Sequence, residues 1–339
     1  MKKILITGGA GFIGSNFIPY FMKKNPDIRI VHLDKLTYAA NPKYLASVNN
    51  NPGYTFVIGD ICDTQLVNQL FKHYDINGVI HFAAESHVDN SISGPHAFIE
   101  TNINGTFNLL EMARHHWMTI KPEYKNARFH HVSTDEVYGS LGATGLFSET
   151  TPYDPSSPYS ATKAASDHLV RAYHRTYDLN VTISNCSNNY GPHQHFEKLI
   201  PTIISNCLAG KPIPIYGNGQ NVRDWLYVLD HCKAIDIVFQ RGQSGETYNI
   251  GGRNERTNLQ IAYKICDTLD KMAPRPDGNS YNEQIMFVKD RAGHDFRYAI
   301  DASKIESQLG WRAKENFDTG IVKTIDWYLK ELKNPVKQK

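Results

Sequence analysis

The first half of the chain alternates short apolar runs with longer segments whose apolar residues recur at helical spacing. The apolar runs are predicted to be strands at residues 3–7, 28–33, 54–58, 78–82, 128–133 and 181–185. The segments between them are predicted to include helices that begin near residue 12 and cover about 64–73, 97–115 and 159–177. Alternating strands and helices imply right-handed crossovers and a parallel sheet with helices on both faces. The pattern therefore predicts an α/β fold of the doubly wound, Rossmann type.

Beyond residue 186 the alternation becomes irregular, because Gly, Pro and Asn interrupt the apolar pattern. We expect residues 1–186 to form the Rossmann domain, to which a return segment near 224–246 also belongs. A smaller, mixed α/β C-terminal lobe that binds the substrate is expected from residues 187–223 and 247–330. Residues 331–339 are expected to be a tail.

The composition is typical of a soluble globular protein, since 41% of the 339 residues are hydrophobic and 21% are charged. A net charge of +2 argues against binding nucleic acid through bulk charge. No apolar run is long enough to span a bilayer, so no membrane association is expected. The five cysteines form no CxxC pair, and the histidines show no ligand spacing beside a cysteine. We therefore expect reduced thiols, a cytoplasmic location and no metal site.

Three glycines follow the first predicted strand directly, and Gly8, Gly11 and Gly14 open the first predicted helix. Such a turn lets backbone N–H groups approach a pyrophosphate, and the alternative is a plain helix-capping turn. Asp34 ends the second predicted strand, where a carboxylate can accept hydrogen bonds from both ribose hydroxyls and repels a 2′-phosphate. The combination predicts a dinucleotide site that favours NAD over NADP. Asp60 ends the third strand and fits either the adenine amine or a solvated turn.

Two adjacent carboxylates, Asp135 and Glu136, lie where the fifth predicted strand ends, directly after Thr134. This is the edge of the sheet at which ligands bind in open α/β folds. Neighbouring acids can have their pKa values pushed apart, which gives one proton donor and one proton acceptor. Taken alone, the pair also fits a turn cap after the strand.

Tyr159 and Lys163 are four residues apart in a predicted helix, so they share one face of it. The ammonium and a cationic nicotinamide would stabilise the phenolate and lower the pKa of Tyr159. The tyrosine could then serve as a base near neutral pH. Without the glycine turn upstream, the two would be ordinary helix-surface residues.

The glycine turn and the Tyr–Lys pair together resemble the extended short-chain dehydrogenase/reductase family. The resemblance is carried by T-G-x-x-G-x-x-G from Thr7 and by Y-x-x-x-K from Tyr159. Within that family, the run STDEVYG at residues 133–139 resembles the branch that converts dTDP-glucose to a 4-keto-6-deoxy sugar. Further similar runs, which extend the resemblance over nearly the whole chain, are at residues 83–89, 187–192, 197–201 and 223–228.

The resemblance implies an NAD-dependent hydro-lyase that keeps its cofactor bound. Tyr159 is implied as the base for oxidation at C4, with Thr134 on the C4 oxygen and Lys163 beside the tyrosine. Glu136 would then take the proton from C5, and Asp135 would protonate the departing C6 hydroxyl before the hydride returns to C6. This choice of base and acid rests on the resemblance, because the sequence does not orient the two carboxylates.

The resemblance also implies a role in deoxysugar biosynthesis of the dTDP-rhamnose type and a homodimer formed through a helix bundle. Two rival functions are a UDP-sugar 4-epimerase or decarboxylase of the same family, and an NAD-binding sensor without turnover. The adjacent Asp135 and Glu136 argue against the first rival. The joint presence of both carboxylates with Tyr159 and Lys163 argues against the second. The preference for dTDP over UDP rests on the resemblance alone.

Two sets of ligand-binding residues follow from the same resemblance. The cofactor set is Gly8, Gly11, Phe12, Ile13, Gly14, Asp34, Lys35, Thr37, Asp60, Ile61, Ala83, Ala84, Ser86, Thr101, Tyr159, Lys163 and Asn189. The substrate set, for the nucleotide sugar, is Ser86, Thr134, Asn188, Lys198, Leu199, Pro214, Tyr216, Arg223, Asn258, Asp290, Arg291 and His294. The chain departs from the family at Ala292, where the family has Pro. The glycine-rich loop at residues 140–147 fits either a lid over the site or a plain connector.

Overall fold

A seven-stranded sheet lies at the centre of the protein in a computed structural model that describes residues 2–124, 126–290 and 293–333. The strands of the chain are β1 (Lys3–Thr7), β2 (Arg29–Asp34), β3 (Tyr54–Ile58), β4 (Gly78–His81), β5 (Arg128–Thr134), β6 (Val181–Cys186), β7 (Asn188–Tyr190), β8 (Ile213–Tyr216), β9 (Val222–Tyr227), β10 (Thr247–Ile250), β11 (Glu255–Thr257) and β12 (Ile285–Val288). The six predicted strands agree with β1 to β6 within one residue at each end. Apolar runs are therefore a sufficient signal for strands that are buried on both faces.

The central sheet has the order β10-β6-β5-β4-β1-β2-β3, and all neighbouring strands in it are parallel. The chain winds outward from β1 to β3 in one direction and from β4 to β10 in the other. The predicted doubly wound α/β fold is thereby confirmed. The reversal of direction between β1 and β4 creates a crevice at the carboxyl ends of the strands, where ligands bind in such sheets.

Helices cover both faces of the sheet and build most of the second lobe. They are α1 (Phe12–Lys24), α2 (Thr64–Tyr74), α3 (Val88–Ser93), α4 (His96–Phe98), α5 (Thr106–Arg114), α6 (Pro158–Tyr177), α7 (Leu199–Leu208), α8 (Val228–Arg241), α9 (Asn258–Met272), α10 (Ser303–Leu309) and α11 (Phe317–Lys333). Two π-helical stretches, Ile99–Gly105 and His115–Ile120, join α4 to α5 and continue α5. Residues 96–120 are thus helical throughout, five residues beyond the predicted end at 115.

The two faces of the sheet carry separate apolar cores. On one face α2, α5 and α6 pack around Val79 and Phe129, and on the other α1 and α8 pack around Ile4 and Ile80. Val79 and Ile80 are consecutive in β4 and yet belong to opposite cores, because successive side chains of a strand point to opposite faces. This double burial fixes where each strand ends and therefore where the polar residues that follow it emerge.

The second lobe contains the three-stranded sheet β11-β9-β7, the parallel pair β12-β8 and a core around Ile204, Ile265 and Ile325. The chain returns to the central sheet through α8 and then through β10, which pairs with β6. The predicted domain limits stay a prediction, although the return segment extends to Ile250 in this topology. Residues 334–339 of the predicted tail lie outside the described residues, and within the described chain no helix could cross a membrane.

Candidate active site

The glycine turn between β1 and α1 has no room for a side chain at Gly8 or at Gly14. Gly8 has φ +70°, and a Cβ built on it would lie 2.5 Å from the backbone nitrogen of Ala83. A Cβ on Gly14 would lie 2.5 Å from the carbonyl oxygen of Gly8. In the described chain no side chain caps the start of α1 at Gly11, so its first N–H groups face the crevice. This geometry fits a pyrophosphate better than a capping turn, because the exposed N–H groups and the helix dipole both favour an anion.

Asp34 ends β2 beside this turn and has both carboxylate oxygens engaged by backbone. Its Oδ2 accepts from the N–H of Ala10 at 2.9 Å, and its Oδ1 accepts from the N–H of Leu36 at 2.8 Å. Burial opposes ionisation, but these hydrogen bonds and the nearby His32 imidazole lower the pKa of Asp34 below its ordinary value. A fixed negative charge at this position supports the prediction that a 2′-phosphate is excluded.

Asp60 lies at the end of β3, next to the end of β2, and pairs with Lys35. The Lys35 Nζ lies 2.6 Å from Asp60 Oδ2, while the N–H of Cys62 donates to Asp60 Oδ1 at 2.9 Å. Burial opposes the ionisation of Asp60, but these contacts lower its pKa below the ordinary value. Both carboxylate oxygens thus serve the turn and the ion pair, and Asp60 also lines the cleft. Each oxygen can accept a second hydrogen bond, so the turn role and a contact to adenine are compatible.

A single cleft of about 320 Å³ joins the glycine turn to the end of β5. Every residue of the predicted cofactor set lines it, and so do Thr134, Asp135 and Glu136. Of the substrate set, the cleft is lined by Ser86, Thr134, Asn188 and Lys198. Lining residues that the sequence did not single out are Ala39, Ala40, Gly59, Phe82, Glu85, Val132, Ser133, Cys186, Ser187, Gln194, His195 and Glu197.

The carboxylates after β5 sit in different environments. The Thr134 hydroxyl accepts from the N–H of Glu136 at 3.3 Å and so tightens the turn after the strand. Asp135 is 1% exposed, and among the described residues neither of its side-chain oxygens has a hydrogen-bond partner. Burial, the Glu136 charge and the Asp224 charge raise the pKa of Asp135 well above its ordinary value. Burial and these charges therefore favour the protonated form of Asp135, which suits a proton donor, whereas Glu136 is only partly buried.

Tyr159 and Lys163 lie in the first two turns of α6, which begins at a capping box made by Ser157 and Ser160. Lys163 Nζ donates to the carbonyl oxygen of Val132 at 2.9 Å, and burial lowers the pKa of Lys163 to about 8. Burial also raises the pKa of Tyr159 well above its ordinary value. The charge of Glu136 also raises the pKa of Tyr159, whereas a hydrogen bond with Thr134 lowers it.

The expectation that Lys163 lowers the pKa of Tyr159 is therefore not met by the protein side chains alone. The reason is that the Lys163 ammonium is directed at a strand carbonyl, while the tyrosine is shielded from water. A phenolate at this position needs a further positive charge nearby.

The other described members of the substrate set belong to the second lobe and do not line the cleft. Tyr216 and His294 are in edge contact, and His294 Nδ1 lies 2.6 Å from Asp290 Oδ1. The Arg223 guanidinium donates to the carbonyl oxygen of Asp295 at 2.9 Å and stacks 4.2 Å over the Tyr298 ring. Three further members do not line the cleft: Leu199 begins α7, Pro214 lies in β8 and Asn258 begins α9. Arg291 lies outside the described residues, as does Ala292.

Two residues of the second lobe act on the carboxylates although the sequence did not single them out. Asp224 of β9 accepts from the N–H groups of Gly252 and Asn254, and its charge raises the pKa of Asp135. Tyr298 lies near enough for the Glu136 charge to raise its pKa. Asp224 could have been noticed because it follows Arg223 in a run shared with the family, whereas nothing in the sequence marks Tyr298.

The loop at residues 140–147 is held against a neighbouring segment. Leu141 and Phe147 form isolated bridges with Arg297 and Ile300, and Arg297 also donates to the carbonyl oxygen of Gly145 at 3.0 Å. The loop does not line the cleft. The geometry therefore favours the connector over the lid.

The comparison with known proteins decides the family. A family model described as GDP-mannose 4,6 dehydratase matches residues 5–324. The chain belongs to this family. The resemblance to its dTDP-glucose branch is confirmed, since many curated relatives at 53–56% identity over nearly the full length are named dTDP-glucose 4,6-dehydratase.

Three of the relatives show how far the likeness reaches. The dTDP-glucose 4,6-dehydratase of Salmonella typhimurium is 55% identical over 337 residues, which cover 96% of this chain and 92% of the relative. The structure of the Streptomyces venezuelae dTDP-glucose 4,6-dehydratase DesIV, with NAD and dTDP bound, has a TM-score of 0.89 at 43% identity and covers 99% and 100% of the two chains. The UDP-glucose 4-epimerase of Thermus thermophilus, with NAD, has a TM-score of 0.84 at 27% identity and covers 96% and 99%. The dehydratases are thus the more similar of these members.

Proposed function

We propose that the protein dehydrates dTDP-glucose to dTDP-4-keto-6-deoxyglucose with NAD that stays bound. The observation that carries this proposal is a buried Asp135, with no hydrogen-bond partner for its carboxyl among the described residues and with a raised pKa, beside Glu136 and in one cleft with Tyr159 and the glycine turn. Oxidation alone needs no second acid, whereas loss of water needs both a base and a proton donor. The names and bound ligands of the similar proteins support the same substrate and cofactor.

The oxidation is assigned to the residues around Tyr159. NAD, held by the glycine turn and Asp34, would accept the hydride from C4, return it to C6 and supply positive charge beside the phenol. Tyr159 takes the proton of the 4-hydroxyl, and Thr134 hydrogen-bonds the oxygen that remains. Lys163 acts as an ammonium behind the tyrosine. The burial of Tyr159 keeps water from the new ketone.

The elimination is assigned to the two carboxylates. A ketone at C4 acidifies the proton on C5, and the more exposed Glu136 removes it. Asp135 donates its proton to the C6 hydroxyl, which leaves as water. The raised pKa of Asp135 supports this assignment of acid and base, which the sequence alone did not decide. When the hydride has returned to C6, Glu136 gives its proton back to C5. Over one cycle Tyr159 therefore gains a proton and Asp135 loses one, so a proton must pass from the tyrosine to Asp135 before the next turnover.

The substrate contacts fall into two groups. Ser86, Asn188 and Lys198 line the cleft, where the Lys198 Nζ donates to the carbonyl oxygen of Ser86 at 2.9 Å. We assign them to the sugar and the diphosphate. The second-lobe residues Tyr216, Arg223, Asn258, Asp290 and His294, with Leu199, Pro214 and Arg291, are assigned to the nucleoside end.

A homodimer and a cytoplasmic location are part of the proposal. Ile99, Phe107 and Met118 are exposed by more than two fifths on the helical stretch from residue 96 to residue 120, which supports pairing through that surface. Light scattering coupled to size-exclusion chromatography tests the dimer. A monomer at micromolar concentration would contradict it. A place in deoxysugar synthesis of the dTDP-rhamnose type stays a prediction.

The function is tested by incubating the purified protein with dTDP-glucose or UDP-glucose without added NAD. We expect a 4-keto-6-deoxy product from dTDP-glucose and a much slower reaction with UDP-glucose. Deuterium placed at C4 should be recovered at C6. Formation of the 4-epimer, or loss of the label to solvent, would contradict the dehydratase mechanism. No product from either substrate, even with NAD supplied, would favour the sensor.

A further inference from the structure

A column of buried polar side chains extends from Lys163 into the protein, away from the cleft. Lys163 Nζ lies 3.4 Å from His131 Nε2, and the same ring nitrogen lies 3.3 Å from Asp167 Oδ1. The other oxygen of Asp167 accepts from the Tyr153 hydroxyl at 2.8 Å. The Tyr153 oxygen in turn accepts from Arg171 at 2.6 Å. None of these groups except Lys163 has a role in the mechanism above.

Asp167 is the carboxylate of this column and is fully buried, with 0% of its surface exposed. Burial opposes its charge, yet hydrogen bonding to His131 and the charges of His131, Lys163 and Arg171 lower the pKa of Asp167. An isolated ion at this depth is strongly unfavourable, so its charge must be compensated by cations nearby. Lys163 is one helical turn earlier on α6 and lies on the same face.

His131 lies against both charged groups and is itself neutral. Burial, followed by the Lys163 charge, lowers the pKa of His131 to about 4, so the ring is neutral near pH 7. A neutral ring with its proton on Nε2 can donate to Asp167 Oδ1, which otherwise has no hydrogen-bond partner among the described residues. The same nitrogen cannot also accept from Lys163, so the Asp167 charge acts on the ammonium through space, past the neutral ring.

We propose that Asp167 is a positioning residue whose carboxylate, one helical turn from Lys163 and against the same His131 ring, is the buried counter-ion that keeps Lys163 protonated. This rests on the proposed function, in which the tyrosine base needs an ammonium at Lys163. Other groups face the pair from every side: His81 of β4, Cys186 of β6, Tyr153 from the loop before α6, and Arg171 of α6. The cationic Arg171 opposes protonation of the lysine, and neutral His81 and Cys186 add no negative charge, which leaves Asp167 as the stabilising anion.

The first test is the pH profile of kcat in Asp167→Asn. Without the counter-ion the ammonium should lose its proton at lower pH, so the alkaline limb should move to lower pH by about one unit or more. Activity at pH 8 should fall about tenfold and recover as the pH is lowered, because each pH unit changes the protonated fraction about tenfold. A general loss of packing would lower kcat without moving the limb.

Asp236→Asn is the control for a buried aspartate that is not a counter-ion, because burial raises the pKa of Asp236. Asp236 is also a buried helical aspartate that accepts from a tyrosine hydroxyl, Tyr20, at 3.2 Å, and it lies outside the cleft. The alkaline limb of the kcat profile of Asp236→Asn should stay at the wild-type pH. An unchanged limb in Asp167→Asn would overturn the proposal, and so would the same displacement in Asp236→Asn.

A second readout does not depend on turnover. Lysine carrying ¹³C at Cε gives a resonance for Lys163, assigned by its loss in Lys163→Met, that titrates with the side chain. In Asp167→Asn that titration should move to lower pH by the same amount as the kinetic limb. If the protein failed to dehydrate dTDP-glucose, this titration would still decide whether Asp167 pairs with Lys163. A titration at the wild-type pH would refute the pairing.

Asp167→Asn combined with Lys163→Met removes both charges and covers the case in which the single variant is too unstable to assay. If the two charges compensate each other, the double variant should unfold at a higher temperature than Asp167→Asn. A double variant as unstable as the single one would show that Asp167 does not serve Lys163.

Discussion

Two aspartates of this protein are equally buried, but their pKa values are shifted in opposite directions. Asp135, at the end of β5, lies near the carboxylates Glu136 and Asp224, and burial with those charges raises its pKa. Asp167, inside α6, accepts from Tyr153 and lies near His131, Lys163 and Arg171, and its pKa is lowered although burial acts the other way. Depth alone therefore does not set the charge of a buried acid. The donors and charges around it do, and they divide the work between a proton donor and a counter-ion.

The largest effect should come from Asp135→Asn. The amide keeps the shape of the side chain but has no acidic proton, so water loss should slow by about 10²–10⁴-fold. Oxidation at C4 does not use this group, so reduced nicotinamide should accumulate on the protein. Rapid-mixing absorbance with dTDP-glucose measures it.

Tyr159→Phe is the comparison for that experiment, because it removes the base that acts before Asp135. It should show neither product nor reduced nicotinamide while NAD remains bound. If Asp135→Asn dehydrated the sugar at the normal rate, the neutral acid would not be the donor. If Asp135→Asn formed no reduced nicotinamide, Tyr159 and Asp135 would not act in separate steps.

The next largest effect is on stability, in Asp167→Asn. Breaking a buried, compensated charge cluster leaves Lys163 without its counter-ion and should cost about 3–5 kcal/mol at pH 7. The folded pKa of Asp167 is below its unfolded value, so the stabilisation is present above about pH 4 and is lost as the pH falls through the folded value. Urea unfolding at several pH values measures this. If the stability difference between the wild type and Asp167→Asn grew towards acid pH, the assignment of Asp167 as a charged counter-ion would be contradicted.

The same substitution at Asp135 should change the free energy of unfolding in the opposite direction. The folded pKa of Asp135 is above its unfolded value of about 3.9, so the wild type loses stability as the pH rises from there towards the folded value. An amide removes this penalty, and we expect Asp135→Asn to gain about 1 kcal/mol at neutral pH. Parallel urea titrations of the two Asp→Asn variants measure it. A loss of stability at Asp135 would mean that its carboxyl has partners of its own.

The sequence predicted one member of this pair and not the other, for a physical reason. Asp135 follows a strand, and the end of a buried strand is a defined place in a parallel sheet. Asp167 is one of many polar residues in a helical pattern, and periodicity indicates which residues share a face but not what covers that face. His131 lies within a predicted strand, where the apolar pattern hid it.

The same distinction holds for the ligand sets. Most cofactor residues of the first domain follow strands or the glycine turn, while Thr101, Tyr159 and Lys163 lie on helices, and the structure brings all of them to one cleft. The substrate residues of the second lobe come from irregular segments, whose position depends on how the chain returns after β6. Neither the backbone contacts of Arg223 nor the approach of Asp224 to Asp135 could be deduced from their order in the sequence.

The smallest effect should come from Asp224→Asn, which removes one of the two charges that raise the pKa of Asp135. The other charge, on Glu136, has the larger influence and remains, so the pKa of Asp135 should fall only partly. Because Asp135 must be protonated to release water, the alkaline limb of dehydration should move to lower pH, with a loss at pH 8 of less than about tenfold. The amide oxygen can still accept from Gly252 or Asn254, so the fold should persist. The pH profile of product formation measures this, and a limb that moved to higher pH would show that Asp224 does not act on Asp135 through its charge.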